Sequence, residues 1–281
     1  MYLFNNPQVE QIITLALNED IGTGDITTLS TIPADKTALG RFVAKEDMIL
    51  CGIDLAAHIF ARVDPSIELK ANFKDGDAVK KGDVIATVSG NAQNVLTGER
   101  TALNFMQRLT GIATRTHASV AEVAGTNAKI TDTRKTTPGL RVLEKYAVRV
   151  GGGTNHRFNL ADGVLIKDNH IAVSGGIKNA VKNARAVIPH TLKIEVEVET
   201  KEQLAEALDA GADIIMLDNM SYDLMRECVG IVAGRALVEA SGNMGEKNLR
   251  EVAETGVDII SIGALTHTVK AADISLKFQI S

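Results

Sequence analysis

Strand-like and helical segments alternate over the second half of the chain, and this alternation restricts the possible folds severely. The strand-like segments are 128–133, 163–168, 192–198, 213–218, 236–240 and 257–263. The helical segments between and after them include 139–150, 177–188, 201–210, 222–232 and 248–255. Because parallel strands need helical crossovers, six such units predict an α/β fold built on a parallel sheet.

Polar side chains stand where several of these strands end. They are Asp132, Arg134 and Lys135, then Lys167 and Asp168, then Asp218 and Asn219, then Ser241 to Asn243, with Gly263 after the last strand. In a β/α-barrel the C-terminal ends of the strands share one mouth, where chemistry takes place. Six units are fewer than eight, so we expect an incomplete parallel β/α-barrel. A doubly wound open sheet is the alternative, and the absence of GxGxxG after the first strand argues against its dinucleotide-binding form.

The first part of the chain has a different pattern. Asn6-Pro7 is typical of a helix start, and apolar spacing predicts a short helix there. β-like segments follow around another helical stretch, and a long helical pattern then begins at Asn94, with Gly111 as the expected break between two helices. We predict a smaller α+β sandwich domain at 1–107, on which the C-terminal segment 270–281 packs, and a barrel domain at 108–269.

Net charge excludes two classes of partner. The chain carries a formal charge of −5, so as a whole it would repel nucleic acid and anionic membranes.

The sequence also predicts a cytoplasmic location. No run approaches the roughly 18 apolar residues of a membrane span. The first twenty residues lack a basic leader and contain three acids, so we expect no secretory signal. Two widely separated cysteines in apolar surroundings also fit a reduced cytoplasmic protein.

The segment 192–199 has an unusual alternation for a parallel strand. Glu195, Glu197 and Glu199 alternate with branched apolar residues, whereas parallel strands are normally continuous apolar runs. If the branched residues pack under the helices, the glutamates face the barrel interior, where a carboxylate needs a cation. A half-exposed edge strand with solvated glutamates is the alternative.

Cations and glycine-rich turns accompany the other strand ends. The cations are Arg134, Lys135, Arg141, His156, Arg157 and Lys167. Arginine suits bidentate recognition of carboxylates and phosphates, and lysine supplies a compact charge. The turns at 151–157, 241–245 and 261–267 contain small residues that let backbone N–H groups approach an anion. These features predict a site for small anionic substrates, one of them phosphorylated.

The motifs together resemble those of the quinolinate phosphoribosyltransferase family. In chain order they are GTGDIT, ERTALN, TDTRKTTPGLR, GGGTNHR, LIKDNH, IEVEVE, IIMLDNM, EASGNM and ISIGALTH. The resemblance covers nearly the whole chain. It implies a pentosyltransferase that uses quinolinate, phosphoribosyl pyrophosphate and Mg²⁺ to form nicotinate mononucleotide, pyrophosphate and CO₂ in NAD biosynthesis.

The resemblance also implies roles for individual residues. Arg134, Arg157 and Lys167 would hold the quinolinate carboxylates, with Lys135 and His156 between the two substrates, and Arg100 would come from the other subunit of a homodimer, which could assemble further. Glu197 and Asp218 would serve the ribose hydroxyls and Mg²⁺, and with Lys135 form the catalytic set. The 5′-phosphate would bind at Ser241, Gly242, Asn243, Gly263 and His267, although many relatives have glycine where Asn243 stands.

Three other functions remain open on the sequence. A molybdenum-uptake-associated paralogue would share the fold, and the cation pattern argues against it. A barrel aldolase would use Lys167 as a Schiff-base lysine. A non-catalytic carrier or regulatory module is the third, because the turns around Lys80 and Lys81 resemble lipoyl- or biotin-carrier hairpins, although only weakly.

Overall fold

The computed structural model describes residues 6–278. The outermost parts of the predicted domain ranges, 1–5 and 279–281, lie outside the described residues. The helices are α1 (Pro7–Ile21), α2 (Ile26–Thr31), α3 (Ile53–Val63), α4 (Ala92–Glu122), α5 (Arg141–Val150), α6 (Asp168–Ser174), α7 (Ile177–Val187), α8 (Lys201–Asp209), α9 (Tyr222–Val232), α10 (Leu249–Ala253) and α11 (Ala264–His267). The strands are β1 (Thr37–Ala44), β2 (Met48–Ile49), β3 (Glu68–Ala71), β4 (Ala78–Val79), β5 (Val84–Asn91), β6 (Lys129–Thr131), β7 (Val164–Ile166), β8 (Ile194–Val198), β9 (Ile214–Asp218), β10 (Leu237–Ser241), β11 (Ile259–Ser261) and β12 (Ile274–Phe278).

The chain divides into two compact units. The first comprises Met1–His117, Thr137–Gly152 and Thr268–Ser281, and the second comprises Ala118–Thr136 and Gly153–His267. Segment 137–152 therefore groups with the first unit, whereas the sequence put it within the barrel range 108–269. The physical reason is a set of polar contacts. Arg108 Nε donates to the fully buried Glu144 at 2.9 Å, and Tyr146 Oη donates to Asp75 at 2.8 Å.

The first unit is built on an antiparallel sheet with the strand order β12-β1-β5-β3. The C-terminal strand β12 pairs with β1 from Gly40↔Phe278 to Ala44↔Ile274. Helix α1 begins as the sequence predicts, because Asn6 caps it by accepting from the Gln8 N–H at 2.9 Å and Pro7 follows. The rings of Phe42 and Phe60 pack edge to face in the core, 6.2 Å apart.

The prediction of a helix break at Gly111 is wrong, because α4 continues through it from Ala92 to Glu122. The glycine has a packing role instead. A Cβ at this position would overlap the carbonyl oxygen of Lys270, and Arg115 Nη1 donates to the carbonyl of Thr268 at 2.9 Å one turn further along. Gly111 therefore lets the C-terminal segment lie against the helix backbone.

The second unit contains a six-stranded parallel sheet in the order β6-β11-β10-β9-β8-β7. All six predicted strands are confirmed, as is the incomplete β/α-barrel with a separate α+β domain. An isolated parallel bridge between Thr131 and Thr154 extends the sheet beside β6. No helix within residues 6–278 combines the length and the apolar character needed to cross a bilayer.

The edge-strand alternative for 192–199 is wrong. Strand β8 lies between β7 and β9, pairing with both in parallel register. Ile194, Val196 and Val198 are fully buried, so the glutamates point to the opposite face of the strand. Glu195 is buried, Glu197 is half-buried, and Glu199 lies beyond the strand end and is exposed.

Candidate active site

The predicted site residues of the second unit lie at the C-terminal ends of its parallel strands. Asp218 and Ser241 end β9 and β10 and pair in register with each other. Lys167 directly follows β7, and Gly263 stands two residues after β11. Since the strands are parallel, these ends share one edge of the sheet, as the sequence predicts.

Lys167 and Glu197 form an ion pair between neighbouring strands. The Lys167 ammonium donates to Glu197 Oε2, and the Glu197 side chain is 14% exposed. Lys167 also precedes α6, where its backbone N–H donates to His170 Nδ1 at 3.0 Å. An inward glutamate thus has the cation that its position requires.

Arg157 and Arg134 are both half-buried and close enough to affect each other electrostatically. Arg157 Nη1 donates to the carbonyl of Gly163 at 2.9 Å, which fixes the guanidinium. Burial lowers the pKa of Arg157, and repulsion from Arg134 lowers it further. Two neighbouring guanidinium groups of this kind form a favourable site for a planar dicarboxylate.

Asp132 anchors the segment that carries Arg157. This carboxylate is fully buried after β6 and accepts from the His156 N–H at 2.9 Å and from Asn155 Nδ2 at 2.6 Å. Thr154 also bonds to β6, through its N–H to the Ile130 carbonyl at 2.8 Å. Segment 154–157 is therefore held at the strand end by several hydrogen bonds.

Lys135 and His267 lie against Gly263. A Cβ on Gly263 would be 3.0 Å from Lys135 Cδ and 3.2 Å from His267 Cδ2. Thr266 Oγ1 donates to the Lys135 carbonyl at 2.8 Å, so the two loops are tied together. Both Lys135 and His267 are exposed at this end of the sheet.

The loops after β9 and β10 contact each other closely. Gly242 has φ +89°, and a Cβ there would lie 2.7 Å from the Asn219 backbone nitrogen. Asn219 Nδ2 donates to Asp218 Oδ2 at 2.6 Å and so orients that carboxylate. Asn243 has φ +53°, a left-handed conformation that Asn tolerates better than most residues, which explains how it can stand in place of glycine.

Three titratable side chains lie deeper in the barrel. His156 Nε2 is 3.0 Å from Glu195 Oε2 and 3.7 Å from Glu239 Oε2, with side-chain exposures of 14%, 5% and 2%. Burial, followed by the neighbouring Glu195, raises the pKa of Glu239 to about 8. The raised pKa favours the protonated form of the Glu239 carboxyl, which reduces the repulsion between the two acids.

Glu239→Gln is expected to change how stability depends on pH. The folded-state pKa of Glu239 lies above its ordinary value of 4.5, so the wild-type protein loses stability as pH rises from about 4.5 to about 8. Glutamine does not titrate. Relative to wild type, the variant's free energy of unfolding should rise by about 1 to 3 kcal/mol between pH 5 and pH 8, measured by urea unfolding. If the difference in free energy of unfolding between the variant and wild type stayed constant with pH, the raised pKa of Glu239 would be contradicted.

Comparison with known proteins identifies the family. The model of the quinolinate phosphoribosyl transferase N-terminal domain matches residues 25–110, and that of the C-terminal domain matches residues 112–277. The chain belongs to the quinolinate phosphoribosyltransferase family. These enzymes are pentosyltransferases, so the expected class of enzyme is confirmed.

Individual members of the quinolinate phosphoribosyltransferase family are similar over almost their full length. A probable nicotinate-nucleotide pyrophosphorylase of Bacillus subtilis is 47% identical over 99% of this chain and 96% of its own. The chloroplastic nicotinate-nucleotide pyrophosphorylase of Arabidopsis thaliana is 46% identical over 96% of this chain and 83% of its own. The solved nicotinate-nucleotide pyrophosphorylase of Francisella tularensis is 41% identical, with a TM-score of 0.93 and 99% coverage of both chains.

This quinolinate phosphoribosyltransferase family member has two further charged residues near the candidate site that the sequence did not predict. Glu239 stands between Val238 and Ala240 in a buried strand, the same alternation that drew attention to β8. Lys247 also lies near the site, where its ammonium donates to the Met220 carbonyl at 3.0 Å. Burial lowers the pKa of Lys247, and the nearby Asp218 acts in the opposite direction.

Two predicted features lie in the first unit. Arg100 is exposed on α4. Gly151 caps α5, and a Cβ there would lie 2.7 Å from Thr116 Cβ, so packing accounts for this glycine. An anion-binding role of the glycine run 151–153 stays a prediction.

Proposed function

We propose that this chain transfers the phosphoribosyl group of phosphoribosyl pyrophosphate to quinolinate, with loss of CO₂, in de novo NAD biosynthesis. The products are nicotinate mononucleotide, pyrophosphate and CO₂. Family membership supports this reaction. The observation that carries it is the pair of neighbouring cations Arg134 and Arg157, with Lys167 at the end of another strand of the same sheet. Quinolinate is a dianion and its co-substrate is more negative still, so both need positive partners.

The cations divide between the two substrates. Arg134, Arg157 and Lys167 hold the quinolinate carboxylates, and Lys135 lies between quinolinate and the pyrophosphate. The fixed guanidinium of Arg157 supports this division, since a bidentate Arg–carboxylate contact requires a defined orientation.

The 5′-phosphate of the sugar binds at the turns after β10 and β11. Its contacts are Ser241, Gly242, Asn243, Gly263 and His267. Small residues at such turns let backbone N–H groups approach an anion. A Cβ on Gly263 would be 3.2 Å from the His267 ring, so this side chain lies beside the turn.

Glu197 and Asp218 serve the ribose hydroxyls and Mg²⁺. Two carboxylates at successive strand ends are hard oxygen donors of the type that Mg²⁺ takes together with substrate phosphates, so the donor set fits this ion. When bound, Mg²⁺ supplies charge neutralisation to the pyrophosphate leaving group. Asn219 orients Asp218, and Lys167 orients Glu197.

The protein residues mainly orient the substrates and offset their charges. The pyridine nitrogen bonds to C1′ of the sugar as the C1′–O bond to pyrophosphate breaks through an oxocarbenium-like state. The C2–carboxylate bond then breaks, its electrons stay on C2 beside the positive ring nitrogen, and C2 takes up a proton. Positioning two anions side by side can supply ~7–11 kcal/mol of the barrier reduction, and no nucleophilic side chain is needed.

The active unit is a homodimer, to which Arg100 contributes across the subunit interface. This part of the proposal comes from the family resemblance. Mixing Arg100→Ala protein with Lys135→Ala protein, after unfolding and refolding together, should restore about a quarter of wild-type activity through hybrid dimers that contain one intact site. An inactive mixture would place Arg100 outside the shared site.

The cytoplasmic location stays a prediction from the sequence.

Product analysis tests the reaction. Purified protein with quinolinate, phosphoribosyl pyrophosphate and Mg²⁺ should form nicotinate mononucleotide, and omission of any one of the three should abolish it. Nicotinate in place of quinolinate should give at most trace product, because it lacks the second carboxylate. No product from quinolinate would refute the proposal, and borohydride trapping of Lys167 with a carbonyl compound would favour the aldolase instead.

A further inference from the structure

Two neighbouring loops at the C-terminal edge of the parallel sheet have strained backbones. The loop after β9 contains Asn219 with φ +54°, and the loop after β10 contains Asn243 with φ +53°. Among residues 6–278, these are two of the three non-glycine residues in a left-handed conformation. A residue with a Cβ disfavours this conformation, which persists only where the surrounding structure holds it. The two loops therefore depend on contacts that fix them.

One set of contacts joins the loops directly beside the strand ends. The Asn219 N–H donates to the Ser241 carbonyl at 3.1 Å. Gly242 lies so close to Asn219 that a Cβ on the glycine would overlap the Asn219 side chain. These contacts involve the first residues after each strand, so the rest of the second loop needs a separate restraint.

Lys247 supplies a contact further from the strands. Its ammonium donates to the Met220 carbonyl at 3.0 Å, so the end of the loop after β10 is bonded to the loop after β9. The side chains of Met220 and Met244 are both buried, which anchors each loop in the core. Asn248 then caps α10 by accepting from the Arg250 N–H at 3.1 Å. Lys247 thus connects the start of α10 to the loop that follows Asp218.

The surroundings of Lys247 differ from those of the surface cations in the second unit. Four exposed cations there pair with carboxylates, namely Arg185, Lys201, Arg226 and Arg250. Lys247 is half-buried and is held by a neutral carbonyl instead. Burial lowers its pKa, whereas the nearby Asp218 acts in the opposite direction. Burying an ammonium costs free energy, so this position is unfavourable for a lysine that only adds surface charge.

We propose that Lys247 is a positioning residue, which holds the turn at 241–243 in a fixed place relative to Asp218 by tying the two loops together. This inference rests on the proposed function, which assigns the ribose hydroxyls to Asp218 and the 5′-phosphate to the turn. One sugar phosphate carries both groups at a limited range of separations, so the two loops must keep a matching separation. An error of about 1 Å in such an arrangement can cost ~100-fold in rate.

Replacing Lys247 should affect the two substrates differently. Lys247→Met keeps most of the length of the side chain but removes the donor. We expect it to raise KM for phosphoribosyl pyrophosphate about 10-fold and to leave KM for quinolinate within about twofold of wild type. A general loss of folded protein would instead lower kcat and leave both KM values unchanged. An equal change in both KM values, or no change in either, would overturn the proposal.

Two further variants make this result specific. Lys247→Arg keeps a cationic donor for the Met220 carbonyl, so its KM for phosphoribosyl pyrophosphate should stay within about threefold of wild type. Lys182→Met removes an exposed lysine from α7 and should leave both KM values within about twofold. If Lys247→Arg loses as much as Lys247→Met, the hydrogen bond to the carbonyl is not the cause and the proposal fails.

Hydrogen exchange of the full chain tests the connection without turnover. In Lys247→Met, the amides of 218–221 and 241–248 should exchange at least about 10-fold faster than in wild type, while β6 to β8 should exchange at the wild-type rate. Wild-type exchange in both loops would overturn the proposal. Should the methionine variant not fold, Lys247→Gln takes its place with the same expected results, because its donor is one bond shorter.

The two measurements separate this inference from the proposed function. If wild-type protein does not turn over quinolinate, the function fails, and hydrogen exchange still decides whether Lys247 holds the loops together. If turnover is present and Lys247→Met shows wild-type KM values, only the positioning role is refuted.

Discussion

Replacing Arg157 with glutamine should lower kcat/KM for quinolinate about 1,000-fold, equivalent to roughly 4 kcal/mol of transition-state stabilisation. Arg157 is half-buried, its guanidinium is fixed on the Gly163 carbonyl, and its neighbour Arg134 is also a cation. In the variant, a dianionic substrate at this position would lose its half-buried positive partner. Water cannot replace that partner. Steady-state rates over a range of quinolinate concentrations measure the change.

Two further variants make the Arg157 result specific. Arg157→Lys keeps the charge but loses the planar pair of donors, so it should still lose about 100-fold. Arg185→Gln is the control, because Arg185 is an exposed arginine on α7 that pairs with Asp213 at 2.8 Å. Its activity should stay within about twofold of wild type. An Arg157→Gln protein within about threefold of wild type would show that this guanidinium does not bind substrate.

Gly242→Ala should destabilise the fold by about 2 to 4 kcal/mol and raise KM for phosphoribosyl pyrophosphate. Gly242 has φ +89°, where an alanine is strained, and its Cβ would overlap the Asn219 side chain. Relief of that overlap must move Asn219, and Asn219 holds the Asp218 carboxylate through its amide. The substitution therefore disturbs both the turn proposed to bind the phosphate and the orientation of Asp218.

Gly230→Ala is the matched control for Gly242. Gly230 lies within α9, and a Cβ there has no neighbouring atom within 4 Å. Alanine favours a helix over glycine, so this variant should be as stable as wild type or up to about 1 kcal/mol more stable. Urea unfolding compares the three proteins. Equal stability of Gly242→Ala and wild type would contradict the close contact between the two loops.

Local periodicity explains why so much of the second unit could be predicted. The strands β6 to β11 are short apolar runs separated by amphipathic helices, and each pattern is complete within a few residues. The alternation of Glu195 and Glu197 with buried branched residues likewise placed these acids inside the barrel. These features depend on neighbouring residues in the chain.

Contacts between distant parts of the chain could not be predicted from such patterns. Glycine within a helical pattern is typical of a helix break, so the sequence alone predicted one at Gly111. The reason for this glycine is its packing against the Lys270 carbonyl, a contact between residues far apart in the chain. The grouping of Glu144 with Arg108 likewise depends on a tertiary hydrogen bond. Glu239 could have been predicted from the sequence. It alternates with buried apolar residues in β10, just as Glu195 and Glu197 do in β8.

Isotope release from quinolinate labelled at the carboxyl next to the ring nitrogen tests the central claim most directly. Labelled CO₂ should appear only when phosphoribosyl pyrophosphate and Mg²⁺ are both present, in a one-to-one ratio with nicotinate mononucleotide, while label at the other carboxyl stays in the nucleotide. Release that does not depend on the sugar substrate, or no release at all, would contradict a site that holds the two anions together.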